Sequence, residues 1–334
     1  LLSKKRGNLT LQEKYTSVEE VVDETDAEVQ HHQQALTEAG HEVHEIRWGP
    51  GFIGELKESQ VDLVFNVSSL VEAAILEELE LPYVGSGPFA ITVATDKSLA
   101  HKLWQRVDLP TSPFRVARTE EDCEVFKESP PFGYPLFIKP VAGRGSAGID
   151  RTSVVANYEE LINGVRVRLR TIGQPVLIER FLHGREVTVG ILGCPEDPRA
   201  LPPLEIVYRE GDVTLTFEKK ALDDDSFLCP APLTTAETET VQRLACRAYR
   251  ALGFRDYGRI DMMLTDEGPV LLEGNTFAGL MCTPLEMPHS YLGIMARAAG
   301  MDGAGLLGEI VQAAVTRLRP AELRRREHPC HDQR

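Results

Sequence analysis

Apolar residues at Ala27, Val29, Ala35, Leu36 and Ala39, set among polar positions and stopped by Gly40, predict a helix over Asp26 to Gly40. Val43 to Ile46 then reads as a strand, and Val61-Asp62-Leu63-Val64-Phe65-Asn66-Val67 as a β-rich apolar run. Glu72 to Glu80 is helical in pattern. Asp96 to Val107 predicts a further helix, closed by Pro110 and Pro113. Strand alternating with helix over this first part predicts a parallel sheet.

After Pro130-Pro131 the pattern changes. Pro135 to Ile138 reads as a strand leading into the glycine segment Gly143 to Gly148; Ile149 to Val155 looks extended, and Pro175 to Glu179 is another short strand. Strands are predicted at Glu186 to Leu192, Leu204 to Tyr208 and Val213 to Phe217, then a helix over Thr235 to Leu252. A strand pair follows, Gly258 to Leu264 and Val270 to Glu273, joined by the turn Thr265-Asp266-Glu267-Gly268. The expected fold class is therefore α/β and α+β. It divides into an N-terminal parallel-sheet domain over 1–96, a central unit over 97–178, a mixed unit over 179–316 and a disordered, solvated tail over 317–334. His328 and His331 in that tail read as inert.

Composition narrows the class of partner. A chain of 334 residues, 42% hydrophobic and 26% charged, is long enough for two or three packed units that share core. No apolar run approaches the roughly 20 residues that cross a bilayer, and Leu1 to Arg6 has no apolar stretch behind it, so no secretory signal is expected. The missing initiator Met suggests a trimmed or incomplete start. A net charge of −15 argues against nucleic acid and anionic membrane as partners. Six cysteines without a C-x-x-C pair argue against zinc and a disulfide framework, and fit a reducing cytoplasm.

The strongest chemical signal lies between Arg259 and Asn275. Asp261, Glu273 and Asn275 offer hard oxygen ligands, and strand alternation places Glu273 and Asn275 on one face, as a phosphate-bound magnesium requires. Arg259 shares the face of Asp261 and is placed to meet developing negative charge. A charged hairpin on a solvated surface is the competing reading.

Lys139 ends a strand, after which Gly143-Arg144-Gly145-Ser146-Ala147-Gly148 formally matches G-x-G-x-x-G. A dinucleotide site needs a helix directly after those glycines, and the extended pattern of 149–155 excludes it. A glycine turn between strands can instead fold over a triphosphate and offer backbone N–H groups, with Lys139 adding a point charge. A plain surface hairpin is the alternative. Pro175 to Leu182, followed by Gly184-Arg185-Glu186, gives a strand and a short connector. In an adenine-binding hinge, backbone groups of Glu179, Arg180, Phe181 and Leu182 would meet the base, and Glu186 would accept from ribose. An ordinary surface acid is the other reading of Glu186.

These pieces, in this order from Leu81 to Met301, resemble the ATP-grasp superfamily and within it the D-alanine–D-alanine ligase family. The likeness runs through Leu81-Pro82-Tyr83-Val84-Gly85-Ser86-Gly87, Asp96-Lys97, Ile138-Lys139-Pro140, the hinge from Glu179 to Glu186, Phe227-Leu228-Cys229-Pro230-Ala231, Gly258-Arg259-Ile260-Asp261 and Leu272-Glu273-Gly274-Asn275-Thr276. It implies an ATP-grasp fold in which two domains clamp the nucleotide behind the N-terminal one. It further implies that Lys97, Lys139 and Ser146 contact ATP, that Glu179 to Leu182 hold adenine and Glu186 ribose, and that Asp261, Glu273 and Asn275 bind Mg2+, with Mn2+ as a substitute. Lys219 matches the lysine that reaches the terminal phosphate, with Lys220 beside it as the other register. Arg259 matches the transition-state arginine, and Gly279 the backbone N–H that meets an oxyanion, against a simple turn glycine. Ser290 matches a serine that helps hold the acceptor carboxylate, against a helix N-cap.

The same comparison exposes departures. The glutamate after the first strand and the histidine of a glycine-rich H-G segment are not recognisable in Lys4 to Leu11 or in Phe65 to Leu70. Phe277-Ala278 replaces a small residue and proline, extra residues separate Asn275 from His289, and Arg144 stands where the family has an acid. The expectation is an ATP-dependent ligase that forms an amide between amino-acid-like small molecules through an acyl-phosphate, and it admits a homodimer. A true D-alanine–D-alanine ligase of cell-wall synthesis is the runner-up, and a nucleotide-binding protein without turnover is the rival from another class.

Overall fold

The structure is a computed structural model and describes residues 2–4, 18–67, 69–143, 148–207, 226–285, 287 and 289–318. The first part alternates strand and helix: β1 (Leu2–Lys4), α1 (Val18–Glu38), β2 (Glu45–Arg47), α2 (Phe52–Glu58), β3 (Val64–Phe65), α3 (Leu70–Glu78) and β4 (Tyr83–Val84). Its four strands are parallel in the order β2-β1-β3-β4, as the alternation predicts. The Val61 to Val67 run contributes only Val64 and Phe65 to that sheet, because β1 and β4 pair with it at no other residues.

Helices α4 (Pro88–Thr95) and α5 (Lys97–Arg106) lead into an antiparallel sheet of β5 (Phe114–Ala117), β6 (Leu136–Pro140), β7 (Val154–Val155) and β8 (Val176–Arg180), in the order β5-β8-β6-β7. Asp96 caps α5 by accepting from the Leu99 N–H at 3.1 Å. The expected extended stretch 149–155 pairs only at Val154 and Val155. Before it, the Asp150 carboxylate accepts from the backbone and hydroxyl of Thr152, a local bond that turns the chain. Helix α6 (Tyr158–Thr171) covers this sheet with Leu161 and Val165, which the sequence reading did not single out.

The third sheet contains β9 (Arg185–Leu192), β10 (Arg199–Ala200), β11 (Leu204–Val207), β12 (Ser226–Leu228), β13 (Tyr257–Thr265) and β14 (Gly268–Asn275). Its order is β12-β11-β9-β13-β14, with β10 on β9. The strand expected at Val213 to Phe217 lies outside the described residues. Helix α7 (Thr235–Ala251), started by a capping box between Thr234 and Glu237, buries Val241, Ala245 and Ala248 against Val187, Val189 and Ile191 on one face of the sheet. Period-two alternation leaves the opposite face to polar residues. Helices α8 (Tyr291–Ala298) and α9 (Gly303–Leu318) close one end of that face, and α9 packs on α1, so the first and third sheets share a core. Among the described residues no helix is long and apolar enough to cross a membrane.

Arg317 departs from the expected solvated tail. It lies in the last turn of α9 and donates to the carboxylate of Asp256 at 2.9 and 2.8 Å and to the Tyr83 carbonyl at 2.8 Å. Asp256 is fully buried, holds a left-handed φ of 67°, and also accepts from the Gly85 N–H at 2.8 Å. This pair bolts the first sheet to the third, and the remainder of the expected tail, 319–334, lies outside the described residues. Asp256→Ala leaves the part-buried guanidinium with the Tyr83 carbonyl alone and the Gly85 N–H without its acceptor, so a loss of about 2–3 kcal/mol in urea unfolding is expected; a surface-like loss under about 0.5 kcal/mol would contradict the bolt.

Candidate functional site

Strand register builds the polar face. Arg259 stands opposite Gly190 and Asn275, Asp261 opposite Thr188 and Glu273, and Met263 opposite Glu186. Glu186, Thr188, Arg259, Asp261, Glu273 and Asn275 therefore project from one side of three adjacent strands. Asp261 is at their centre, only 5% exposed. Arg259 grips its two oxygens at 2.8 and 2.9 Å, Asn275 Nδ2 donates to it at 2.9 Å, and the Thr188 hydroxyl donates from β9. The Arg259 guanidinium also lies 5.5 Å from the centre of the Tyr291 ring. Burial alone draws its pKa down, but the charge and hydrogen bonds of Asp261 outweigh that and raise it.

Two lysines approach from the other sheets. Lys97, in the first turn of α5, is 3.4 Å from Glu273 and donates to the Gly143 carbonyl at 3.1 Å. It thus stands between the carboxylate strand and the start of the glycine segment, over a pocket lined also by Asn275 and Phe277. Lys139 projects from β6 and is held at 2.7 Å by Glu179 of β8. Both groups are buried.

Glu179 pairs into the sheet beside Phe114 and Phe137, at the start of the expected hinge, and its side chain turns inward to Lys139. The strand ends at Arg180, and the connector runs from Phe181 to Gly184. The N–H groups of Arg180 and Phe181 are taken by Pro113 and Pro135, both at 3.2 Å, and Ser112 Oγ donates to the Arg180 carbonyl at 3.1 Å. Phe181 lies 6.4 Å from Phe137, and Leu182 follows half-buried. Gly184 is required where the connector enters β9, since a Cβ there would fall 2.3 Å from the Leu264 carbonyl oxygen.

At the far end of the face, Ser290 caps α8 by accepting from the Gly293 N–H at 3.2 Å and donates to the Gly279 carbonyl at 2.6 Å. The helix-cap reading of Ser290 is thus realised, and the same hydroxyl ties Gly279 to α8. A side chain at Gly279 would meet Ser290 Cβ at 2.9 Å. Phe227 packs edge-on to His289 at 5.6 Å and to Tyr291 at 6.3 Å, giving this end an aromatic wall. Burial pushes the Cys229 thiol up to about 11, which keeps it protonated and unreactive at neutral pH. Ser146, Arg144 and Lys219 lie outside the described residues.

Thr188, His101 and Tyr291 were not singled out from the sequence, although each had a signal. Thr188 follows Glu186 by two on a strand, His101 follows Lys97 by four on a helix, and Tyr291 follows Ser290 directly. Among the described residues no three His, Cys, Asp or Glu side chains are grouped to hold a metal. Asp261 and Glu273, with the Asn275 amide, do fit a hard cation that completes its shell on phosphate oxygens, provided it displaces Arg259 from Asp261.

A family model described as D-ala D-ala ligase C-terminus matches residues 103–312. A D-alanine–D-alanine ligase of Bordetella petrii is 35% identical over 294 residues, covering 85% of this chain and 86% of that protein. One from Alcanivorax borkumensis is 36% identical over 245 residues, covering 73% and 72%. Among solved structures, the Bacillus anthracis D-alanine–D-alanine ligase complexed with ATP superposes with a TM-score of 0.72 at 22% identity, covering 98% of both chains. The VanG D-Ala:D-Ser ligase of Enterococcus faecalis gives 0.63 at 25% identity, covering 76% and 73%. Ser290→Ala removes the cap of α8 and the tie to Gly279 together; a loss of about 1 kcal/mol in thermal or urea unfolding is expected, and no measurable loss would separate Ser290 from the folding of this end.

Proposed function

Because the chain belongs to the D-alanine–D-alanine ligase family, ATP-grasp enzymes that form a carbon–nitrogen bond, we propose that it joins two amino-acid-like substrates through an acyl-phosphate. The observation that carries this reading is the convergence of Lys97 and the acid and amide side chains of β13 and β14 on one pocket, with Lys139 and the connector beyond.

ATP enters between the second and third sheets. The Arg180 and Phe181 carbonyls can accept from the adenine amino group and the Leu182 N–H can donate to the ring, because the two preceding N–H groups are already used. Glu186, at the start of β9, is placed for the ribose hydroxyls. Lys97 and Lys139 supply point charges for the triphosphate, joined by Ser146 and Lys219. Asp261, Glu273 and Asn275 would hold Mg2+, which draws charge off the phosphate oxygens.

The carboxylate oxygen of the first substrate attacks the γ-phosphorus and ADP leaves. The amine of the second attacks the resulting acyl carbon, loses a proton, and expels phosphate as the amide forms. Arg259 and the Gly279 N–H face the tetrahedral oxyanion. Ser290, engaged as a cap, acts on the acceptor side by fixing Gly279. We favour an amino-acid-like pair other than two D-alanines, since the glutamate and histidine that mark the family's first-substrate pocket are absent from Lys4 to Leu11 and Phe65 to Leu70. Similarity to the Bordetella petrii enzyme over most of both chains favours D-alanine with D-alanine as the second reading.

Phosphate release with Mg-ATP and pools of D- and L-amino acids tests the proposal. Release stimulated by a pool, abolished by EDTA and restored by Mg2+ or Mn2+ supports it; no stimulation by any pool removes it, and full stimulation by D-alanine alone selects the second reading. Arg259→Ala should lower kcat by about 10^2–10^3, as expected for loss of an oxyanion donor, with ATP binding retained.

A further inference from the structure

Helix α5 carries a second polar group one turn beyond Lys97. His101 is fully buried, with its Nε2 2.9 Å from the Leu272 carbonyl oxygen. A carbonyl only accepts, so Nε2 carries a hydrogen there. Its Nδ1 is turned to Oε1 of Glu179 at 3.5 Å, and among the described residues neither atom has another hydrogen-bond partner. The other Glu179 oxygen holds Lys139 at 2.7 Å. Phe114 and Trp104 wall the imidazole at 5.3 and 5.7 Å between ring centres. The charged groups acting on it are Glu179 from β8, Lys139 from β6 and Lys97 from its own helix; β14 presents the Leu272 carbonyl.

A bare nitrogen lone pair facing a carboxylate oxygen is repulsive where water cannot screen it, and a proton between them converts repulsion into a bond. We propose that His101 is a positioning residue for Lys139: it shares a proton with Glu179, which leaves that pair neutral and keeps the Lys139 charge available to the ATP triphosphate. This rests on the reading of Lys139 as a phosphate contact. Burial outweighs Glu179 and holds the imidazole pKa below its ordinary value, so the shared proton is argued from Nδ1 and Oε1 facing each other with no other partner among the described residues, and the charge of the pair is the same whichever of the two carries it. Without His101, the Glu179 carboxylate is left to Lys139 alone and closes it into a neutral ion pair. The same imidazole joins β8 to β14, so it couples the lysine side of the pocket to the strand that carries Glu273.

His101→Leu removes both donors, whereas the His101→Gln amide keeps two N–H groups. Titration calorimetry with Mg-ATP and with adenosine separates phosphate from base contacts. We expect His101→Leu to weaken Mg-ATP about tenfold, equivalent to one modest ionic contact, to leave adenosine unchanged, and His101→Gln, whose amide donates hydrogen bonds but cannot share a titrating proton, to stay nearly as weak as His101→Leu. Unchanged Mg-ATP affinity in His101→Leu, equal loss of both ligands, or a His101→Gln variant that binds Mg-ATP as tightly as the unaltered protein overturns the proposal. Nitrogen-15 histidine spectra of the unaltered protein give a test independent of folding: Nδ1 of His101 should carry or accept a proton, and the signal of a bare imidazole nitrogen overturns the shared proton. If the unaltered protein itself fails to bind Mg-ATP, the nucleotide reading falls and this inference with it, which distinguishes the two failures.

Discussion

A buried carboxylate must be neutralised and hydrogen-bonded or it costs several kcal/mol, and the site is organised around meeting that demand at Asp261. Arg259 supplies the charge, Asn275 and Thr188 the further donors, and these residues come from three adjacent strands. The register of β9, β13 and β14 thus has an electrostatic reason to stay fixed. A slip by one residue would turn Asp261 toward the apolar face covered by α7. The same arrangement holds Arg259 against Asp261, so in the proposed reaction a cation on Asp261 must first release the guanidinium toward the position where negative charge develops.

The second constraint is helix α5. Its N-cap Asp96 fixes where the first turn begins, so Lys97 emerges beside Gly143 and Glu273, and His101 emerges one turn later between Glu179 and Leu272. Trp104, fully buried, donates to the Ala248 carbonyl of α7 at 3.2 Å and anchors the far end. The helix therefore acts as a strut between the second and third sheets. Lys97 and His101 each touch both sheets, so a shift of one sheet against the other must be felt at both.

Much of this was legible in the chain. Alternation on β13 and β14 put the acids on one face, and the proline and glycine punctuation placed the connector from β8 to β9. What was not legible depended on approach between distant segments. Glu179 reads as a hinge residue from its neighbours, yet the diagonal contact with Lys139 across β6 and β8 turns its side chain inward. Arg317 reads as part of a basic tail, yet Asp256, 61 positions away, is a buried acid that needs a cation. Local pattern records the face a residue occupies, and only the packing of one sheet on another decides which residue it meets there.

The two sides of the reaction rest on different kinds of structure. The proposed nucleotide side is held by strand faces and by α5, whose contacts are mutually dependent: moving Lys97 disturbs Glu273, and moving Glu179 disturbs Lys139. The acceptor side is held by the loop from Thr276 to Ser290, the cap of α8 and the aromatic group of Phe227, His289 and Tyr291. A loop tied at Gly279 and Ser290 can change length and side chains between those ties without shifting any strand register. Departures from the family pattern fall in that loop, in the N-terminal segments and, on the nucleotide side, at Arg144 of the glycine segment, while Asp261, Glu273, Asn275 and the two lysines remain. That distribution fits the proposed reading of a retained phosphoryl-transfer site beside altered substrate pockets, because the contacts that tie Lys97 to Glu273 and Lys139 to Glu179 do not extend to the loop.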